Sequence, residues 1–240
     1  MQSTLGSFQE TQAQDAFTLQ NSKLLKVSLN QITIQAKLGS MVAYQGDVKF
    51  EHAGSGGMSR WVKSKVTGEG QQLMKIEGTG EVFLADMAQD IHLIKLEGDQ
   101  ITVNGANVLA FDAGIDWDIQ RFQGGIAGAA AGGLYNMALS GSGWVAVLSD
   151  GPPVLLQTGD APTFCDPGAA ITWSSNLQTH VKADVNLKTF IGRDSGETFQ
   201  VGFQGAGWVL VQPSEGRVQG ATNSTGGGGG AGGLLQNLTG

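Results

Sequence analysis

Cysteine is almost missing from this chain: Cys165 stands alone among 240 residues. That excludes an internal disulfide and suits a reducing cytoplasm, the compartment we expect. Charge is scarce as well, at 15% of residues against a typical ~25%. Basic charge is scarcest, with 14 Lys and Arg against 21 Asp and Glu, a net of −7. No basic cluster stands out, so the chain lacks what phosphate backbones require, and nucleic acid is not an expected partner. No window holds 18 consecutive apolar residues, which leaves no candidate membrane-spanning helix. The start, Met1 to Phe8, has neither a basic cluster nor an apolar run, so no signal peptide is expected. Helical periodicity is nearly absent, its best stretch being Met58-Ser-Arg-Trp-Val-Lys-Ser-Lys65. With 40% hydrophobic residues the low charge does not signal disorder.

Glycine is what the chain has in excess, 38 residues or about 16% against a typical ~7%. Nine of these lie beyond residue 218, five of them consecutive from Gly226 to Gly230. Residues 219–240 carry no charge and read as a flexible glycine-rich tail. The rest punctuate a repeat. Gly78-Thr-Gly80-Glu-Val82, Gly141-Ser-Gly143-Trp-Val145 and Gly205-Ala-Gly207-Trp-Val209 follow one another at steps of 63 and 64 residues. Each glycine pair sits between two β-rich runs, which predicts a strand, a glycine turn or bulge, and a second strand.

A second signature precedes each of these. Gln31-Ile-Thr-Ile34 resembles Gln100-Ile-Thr-Val103. Tyr44 with Val48-Lys-Phe50 matches Phe111 with Ile115-Asp-Trp117 at an offset of 67. The third copy is looser, read as Val154-Leu-Leu156, Phe164 and Ile171-Thr-Trp173. In all three the last strand alternates apolar, polar, aromatic, which puts the aromatic on the buried face. This preceding signature spans roughly 31–51, 100–120 and 154–174, and the glycine signature 70–86, 133–149 and 196–212. The expectation is an all-β chain, residues 1–218 forming one domain of three repeats (about 15–86, 87–149 and 150–213). Such units bury their apolar faces only by packing together, as sandwich or prism repeats in a pseudo-threefold arrangement.

Residues that could carry chemistry are few. His52, His92 and His180 share no ligand spacing with cysteine or paired carboxylates, so no metal site is expected. Asp112, Asp116 and Asp118 superficially resemble a calcium loop but lack its order and its terminal glutamate. Alternation instead places Asp116 and Asp118 on the solvent face of a strand that buries Ile115, Trp117 and Ile119. The glycine pairs lead into strands rather than a helix, which excludes a dinucleotide loop. No nucleophile elbow, zinc-protease or phosphate-loop motif occurs. No catalytic residue and no cofactor is therefore assigned. Cys165, in Thr-Phe-Cys165-Asp-Pro-Gly, reads as a small apolar filler at a strand end.

The positions left over point to contact surfaces. Trp61, beside Arg60, Lys63 and Lys65 in the possible short helix 58–65, could meet a partner or a membrane surface. The uncharged segment Gly124-Gly125-Ile126-Ala-Gly-Ala129 could pack against another subunit, and Leu234 and Leu235 in the tail could dock on a neighbour.

Met41-Val-Ala-Tyr44-Gln-Gly46-Asp-Val-Lys-Phe50, Gly68-Glu-Gly70 and the Gly-x-Gly-x-Val units together resemble a known family. They are similar to bacterial members of the altered-inheritance-of-mitochondria family, formerly a domain of unknown function, over about residues 15–213. The resemblance implies a fold like that of the trp RNA-binding attenuation protein, with β-sandwich repeats about a pseudo-threefold axis. It links mitochondrial members to mitochondrial organisation and respiratory-chain integrity, and it supplies no catalytic residue. The missing presequence suggests a bacterial cytosolic member. Fold does not carry function, so RNA binding is not transferred to a chain of pI 4.8.

The expected function is non-enzymatic: binding or scaffolding through self-assembly into a homo-oligomer and recognition of a protein partner that the sequence does not identify. A small-molecule or lipid-binding β module is the alternative. A hydrolase with carboxylates assembled in space comes third.

Overall fold

The computed structural model describes residues 3–12, 15–52, 73–121, 135–183 and 199–214. Trp61 and the helix anticipated at 58–65, Gly124, Gly125, Ile126 and Ala129, Leu234 and Leu235, and the tail 219–240 lie outside the described residues. Among those described, the chain is almost entirely β, and every strand pairing is antiparallel. Helix is confined to 3-10 turns at Leu5–Phe8 and Gly105–Asn107.

The described residues form fifteen strands, in order: β1 (Phe17–Asn21), β2 (Leu24–Asn30), β3 (Ile34–Lys37), β4 (Met41–His52), β5 (Leu73–Leu84), β6 (Asp90–Asn104), β7 (Val108–Asp112) and β8 (Asp116–Arg121). After them come β9 (Tyr135–Ser149), β10 (Val154–Thr158), β11 (Thr163–Cys165), β12 (Ala170–Ser174), β13 (Gln178–Ala183), β14 (Phe199–Gln204) and β15 (Gly207–Val211). Twelve strands form one continuous sheet, and β11, β14 and β13 form a second.

Each glycine motif lies in the middle of a group of strands. β5 pairs with β4 along one edge, while β2 and β3 share the other. β9 pairs with β6 along one edge, and β7 and β8 share the other. The third motif links β15, between β10 and β12, to β14, between β11 and β13. The glycines of the first two copies therefore lie inside single long strands, not in a turn between two. Only the third, Gly205-Ala-Gly207, breaks the strand, and its halves enter different sheets.

The ladder registers follow the sequence steps. Val82, Val145 and Val209, related by 63 and 64 residues, face Tyr44, Phe111 and Trp173. Ile76, Leu139 and Phe203 face Phe50, Trp117 and Thr179 on that side, and Ile34, Ile101 and Thr163 on the other. This corrects the third copy of the precursor motif. Trp173 matches Tyr44 and Phe111, not Phe50 and Trp117, so the segment read at 154–174 falls six to nine residues too early: Thr163, Trp173 and Thr179 stand where Ile34, Tyr44 and Phe50 do. The misreading has a chemical cause: the position matching Trp117 holds Thr179, so alignment on the aromatic lands on the wrong strand. The aromatic contact itself recurs, Tyr44 on Phe50 at 5.3 Å between ring centroids and Phe111 on Trp117 at 6.5 Å, both edge to face. In the third group Trp173 meets Phe203 instead, at 5.5 Å.

Glycine is required in these long strands on two counts. Gly78, Gly80, Gly141 and Gly143 have φ between +122° and +149°, a region side chains disfavour. Space is also lacking: a Cβ on Gly80 would stand 2.0 Å from the Gln45 carbonyl oxygen, and one on Gly78 2.1 Å from that of Asp47. The glycines let β5 bend while β4 stays paired to it through the bend, at Gly46↔Gly80 and Val48↔Gly78. Around this frame three buried apolar clusters form. The first centres on Leu25, Leu29, Ile76 and Leu84, the second on Phe111, Ile115, Leu139 and Val145, and the third on Trp173, Val201, Phe203 and Val209.

Gly80→Ala should therefore lower stability by about 3 kcal/mol or more, since strain and a backbone clash act together. For a chain of this size that is a fall of roughly 6–12 °C in melting temperature. Gly98→Ala has a positive φ of +87° but open space around it, and should cost only about 1–2 kcal/mol. Thermal melts of the two variants test the contrast.

Candidate functional site

The first half of β4 is where apolar surface meets water. Met41, Val42 and Tyr44 are 37%, 60% and 49% exposed. Their matching residues in the second group, Val108, Leu109 and Phe111, are each 0% exposed, and Ala170, Ile171 and Trp173 in the third are buried too. The residue types are alike, so the difference lies in what covers them. β7 is covered by β3, through Ile34↔Asp112, Gln35↔Phe111 and Ala36↔Ala110. β12 is covered by β6, through Ile101↔Ser174, Thr102↔Trp173 and Val103↔Thr172. β4 has no such neighbour among the described residues and pairs with β5 alone.

The strands that would supply an equivalent cover are open as well. β11 pairs only with β14 among the described residues, and β10 only with β15. Val154, Leu155 and Phe164 on these strands are exposed. Phe164 lies edge to face with His180 at 5.9 Å, and both rings cross Gly202, where a Cβ would meet His180 Nε2 at 2.4 Å. The ammonium of Lys182 sits 5.1 Å from the Phe164 ring centroid. Sequence reasoning missed this site because Val42 and Leu109 are indistinguishable by type. The signal is topological: among the described residues β4 lacks the neighbour that β7 and β12 have, and β11 the one that β3 and β6 have.

The titratable groups fall elsewhere. Asp112 accepts a hydrogen bond from the Trp144 backbone N–H just after Gly143, where a Cβ would meet the carboxylate itself. Ser174 Oγ does the same for the Trp208 N–H at 3.0 Å, one step further along the chain. Burial pushes the Asp112 carboxyl above its ordinary range, partly offset by that hydrogen bond. Asp112 thus serves the strand bend rather than an ion. Asp116 and Asp118 are exposed beside buried Ile115, on the solvent face as anticipated. Cys165 is half-buried with its thiol pushed up to about 12, mainly by burial and further by Asp166, so it rests protonated at neutral pH.

His92 approaches Ser149, Nε2 to Oγ, at 2.8 Å, with Asp90 exerting a favourable charge on the ring. The pair looks like a nucleophile and its base. However, Ser149 is wholly buried and its hydroxyl donates to the Gly151 carbonyl at 2.7 Å. The serine proton is already committed, so His92 must be the donor, and burial holds its pKa below the usual histidine value. The arrangement pins the β9 end to the turn that follows and presents no nucleophile. Among the described residues no three His, Cys, Asp or Glu side chains gather as metal ligands. No described helix is long and apolar enough to cross a membrane.

Residues 17–214 match the family described as mitochondrial biogenesis AIM24. The chain belongs to that family. The structure is similar to a crystal structure of a Streptococcus pyogenes protein from a structural-genomics programme, at 21% identity and a TM-score of 0.66. The match covers 82% of this chain and 92% of that one, and at that identity it establishes the fold alone. Among curated proteins none matches.

The Asp112 site gives a test of its own. Its pKa is raised in the folded state, so its contribution to stability is fully present below the ordinary carboxylate range and is lost as pH rises through the raised value. Asp112→Asn keeps an acceptor for Trp144 without the charge. Its melting temperature relative to the unaltered protein should improve between about pH 3 and pH 7. Asp112→Ala leaves the N–H unpaired and should cost about 1–3 kcal/mol throughout.

Proposed function

We propose that this is a non-catalytic binding or scaffolding protein that works through self-association and surface recognition. The observation that carries this reading is the contrast on β4: side chains whose counterparts are fully buried lie in solvent along an open strand edge. Covering such side chains contributes about 1.5–3 kcal/mol for each one fully buried, so the uncovered strip favours a partner. A register irregularity falls between Met41 and Ala43 on this edge, as it does at the matching places on the covered strands β7 and β12. From Met41 to Gly46 the edge carries no charge and no proline, two of the devices that keep sheet edges from pairing.

The register matches at steps of 63 and 64 residues support reading residues 1–218 as three copies of one strand group, a construction suited to symmetric assembly. The low overall charge weakens repulsion between copies. Several described lysines are already paired with carboxylates, which weakens the case for a phosphate ligand. Lys26 bridges Glu10 and Glu81 at 2.7 and 2.8 Å, Lys37 pairs with Asp86, and Lys75 pairs with Glu77 at 2.6 Å. The family description names a cellular process and brings no substrate with it, so the protein partner is left to experiment.

Light scattering over a range of concentrations tests the reading. A mass of two or more chains is expected at micromolar concentration, reduced by Tyr44→Lys. A strict monomer throughout would overturn it.

A further inference from the structure

The two covered joints share one register, and that register specifies a third. In the first joint Ile34, Gln35 and Ala36 face Asp112, Phe111 and Ala110. In the second, Ile101, Thr102 and Val103 face Ser174, Trp173 and Thr172. The outer-strand residues correspond through their glycine-strand partners: Ile34 on Ile76, Ile101 on Leu139 and Thr163 on Phe203. The covered residues correspond likewise, with Tyr44, Phe111 and Trp173 facing Val82, Val145 and Val209. Applied to the two open edges, the register sets Thr163 opposite Gln45, Phe164 opposite Tyr44 and Cys165 opposite Ala43.

We propose that β11 of one copy of this chain pairs antiparallel with β4 of a second copy in that register, continuing between chains the joint made twice within one. This rests on the self-association reading and names the surface that performs it. Four observations carry it. Both edges are open among the described residues. β4 bears exposed apolar side chains where the covered counterparts are buried, and β11 bears the exposed Phe164 where the covered joints have Gln35 and Thr102. The register places the exposed aromatics Phe164 and Tyr44 directly across from one another, a favourable cross-strand pair. And among the described residues β4 of a chain pairs with β5 and β11 with β14, the two making no pairing with each other, which favours another copy as the occupant. Each chain offers one edge of each kind, so the contact is head to tail and closes into a ring or runs on as a filament.

The lone cysteine makes the register directly readable. Ala43→Cys places a thiol opposite Cys165, whereas Val42→Cys, also exposed, sits one residue out of register, at the irregularity between Met41 and Ala43. The full-length variants are oxidised with copper phenanthroline and dioxygen, which removes two electrons and two protons per disulfide, and are run on non-reducing gels. Thermal melts beforehand establish that each variant is folded. The expected result is a ladder of covalent multiples for Ala43→Cys, at least fivefold above Val42→Cys and abolished by Cys165→Ser. An oligomer by light scattering whose Ala43→Cys form links no better than Val42→Cys would overturn this interface and leave self-association standing. A link confined to single chains would overturn the second copy as occupant. A protein monomeric at every concentration would overturn both readings.

Discussion

Backbone pairing between the end of one outer strand and the start of the next flanking strand joins the glycine-centred groups into one body. Where β3 lies on β7 and β6 lies on β12, three consecutive residues on each side exchange partners, and the side chains beneath become core. Phe111 and Trp173 are interior residues for that reason. Tyr44, at the matching place on β4, has everything they have except the neighbour. The same chemistry gives core in two places and an open surface in the third, and the surface is what the functional reading rests on.

Glycine makes the joints geometrically possible. A central strand that serves a full-length partner on one edge and two shorter ones on the other has to bend between them. At Gly78 and Gly80 the bend brings backbone against backbone, leaving no room for a side chain. In the second and third groups the covered flanking strand supplies a side-chain acceptor at the bend, Asp112 or Ser174, for an N–H of the central strand. The unusual glycine content and the half-buried carboxylate therefore answer one demand, that of keeping a bent strand paired on both edges.

Much of the fold was legible from residue types. Gly141-Ser-Gly143 and its counterparts marked the central strands, and the alternation around Trp117 correctly set Asp116 and Asp118 in solvent. Two things were not. The glycine pairs were expected to separate strands, yet in β5 and β9 the strand runs through them, because a positive-φ residue can bend a ladder without ending it. The third precursor segment was placed too early because Thr179 stands where its counterparts carry Phe50 and Trp117. The open edges lay beyond local reading altogether: whether such a residue is core or surface depends on a strand distant in sequence, as Phe111 depends on Gln35 and Trp173 on Thr102, and composition holds no trace of it. The surfaces the sequence did suggest, around Trp61, Gly124 and Leu234, lie outside the described residues.

Amide hydrogen exchange read at individual residues tests the account most directly. The backbone N–H groups of residues 43–45 and 163–165 are to be followed at a concentration where the protein associates, and again in the Tyr44→Lys variant. Pairing between copies predicts that amides at both edges slow together on association, by about tenfold for each ~1.4 kcal/mol of joint stability, while the buried ladder between β6 and β9 is unchanged. Association with unchanged exchange at both edges would contradict it.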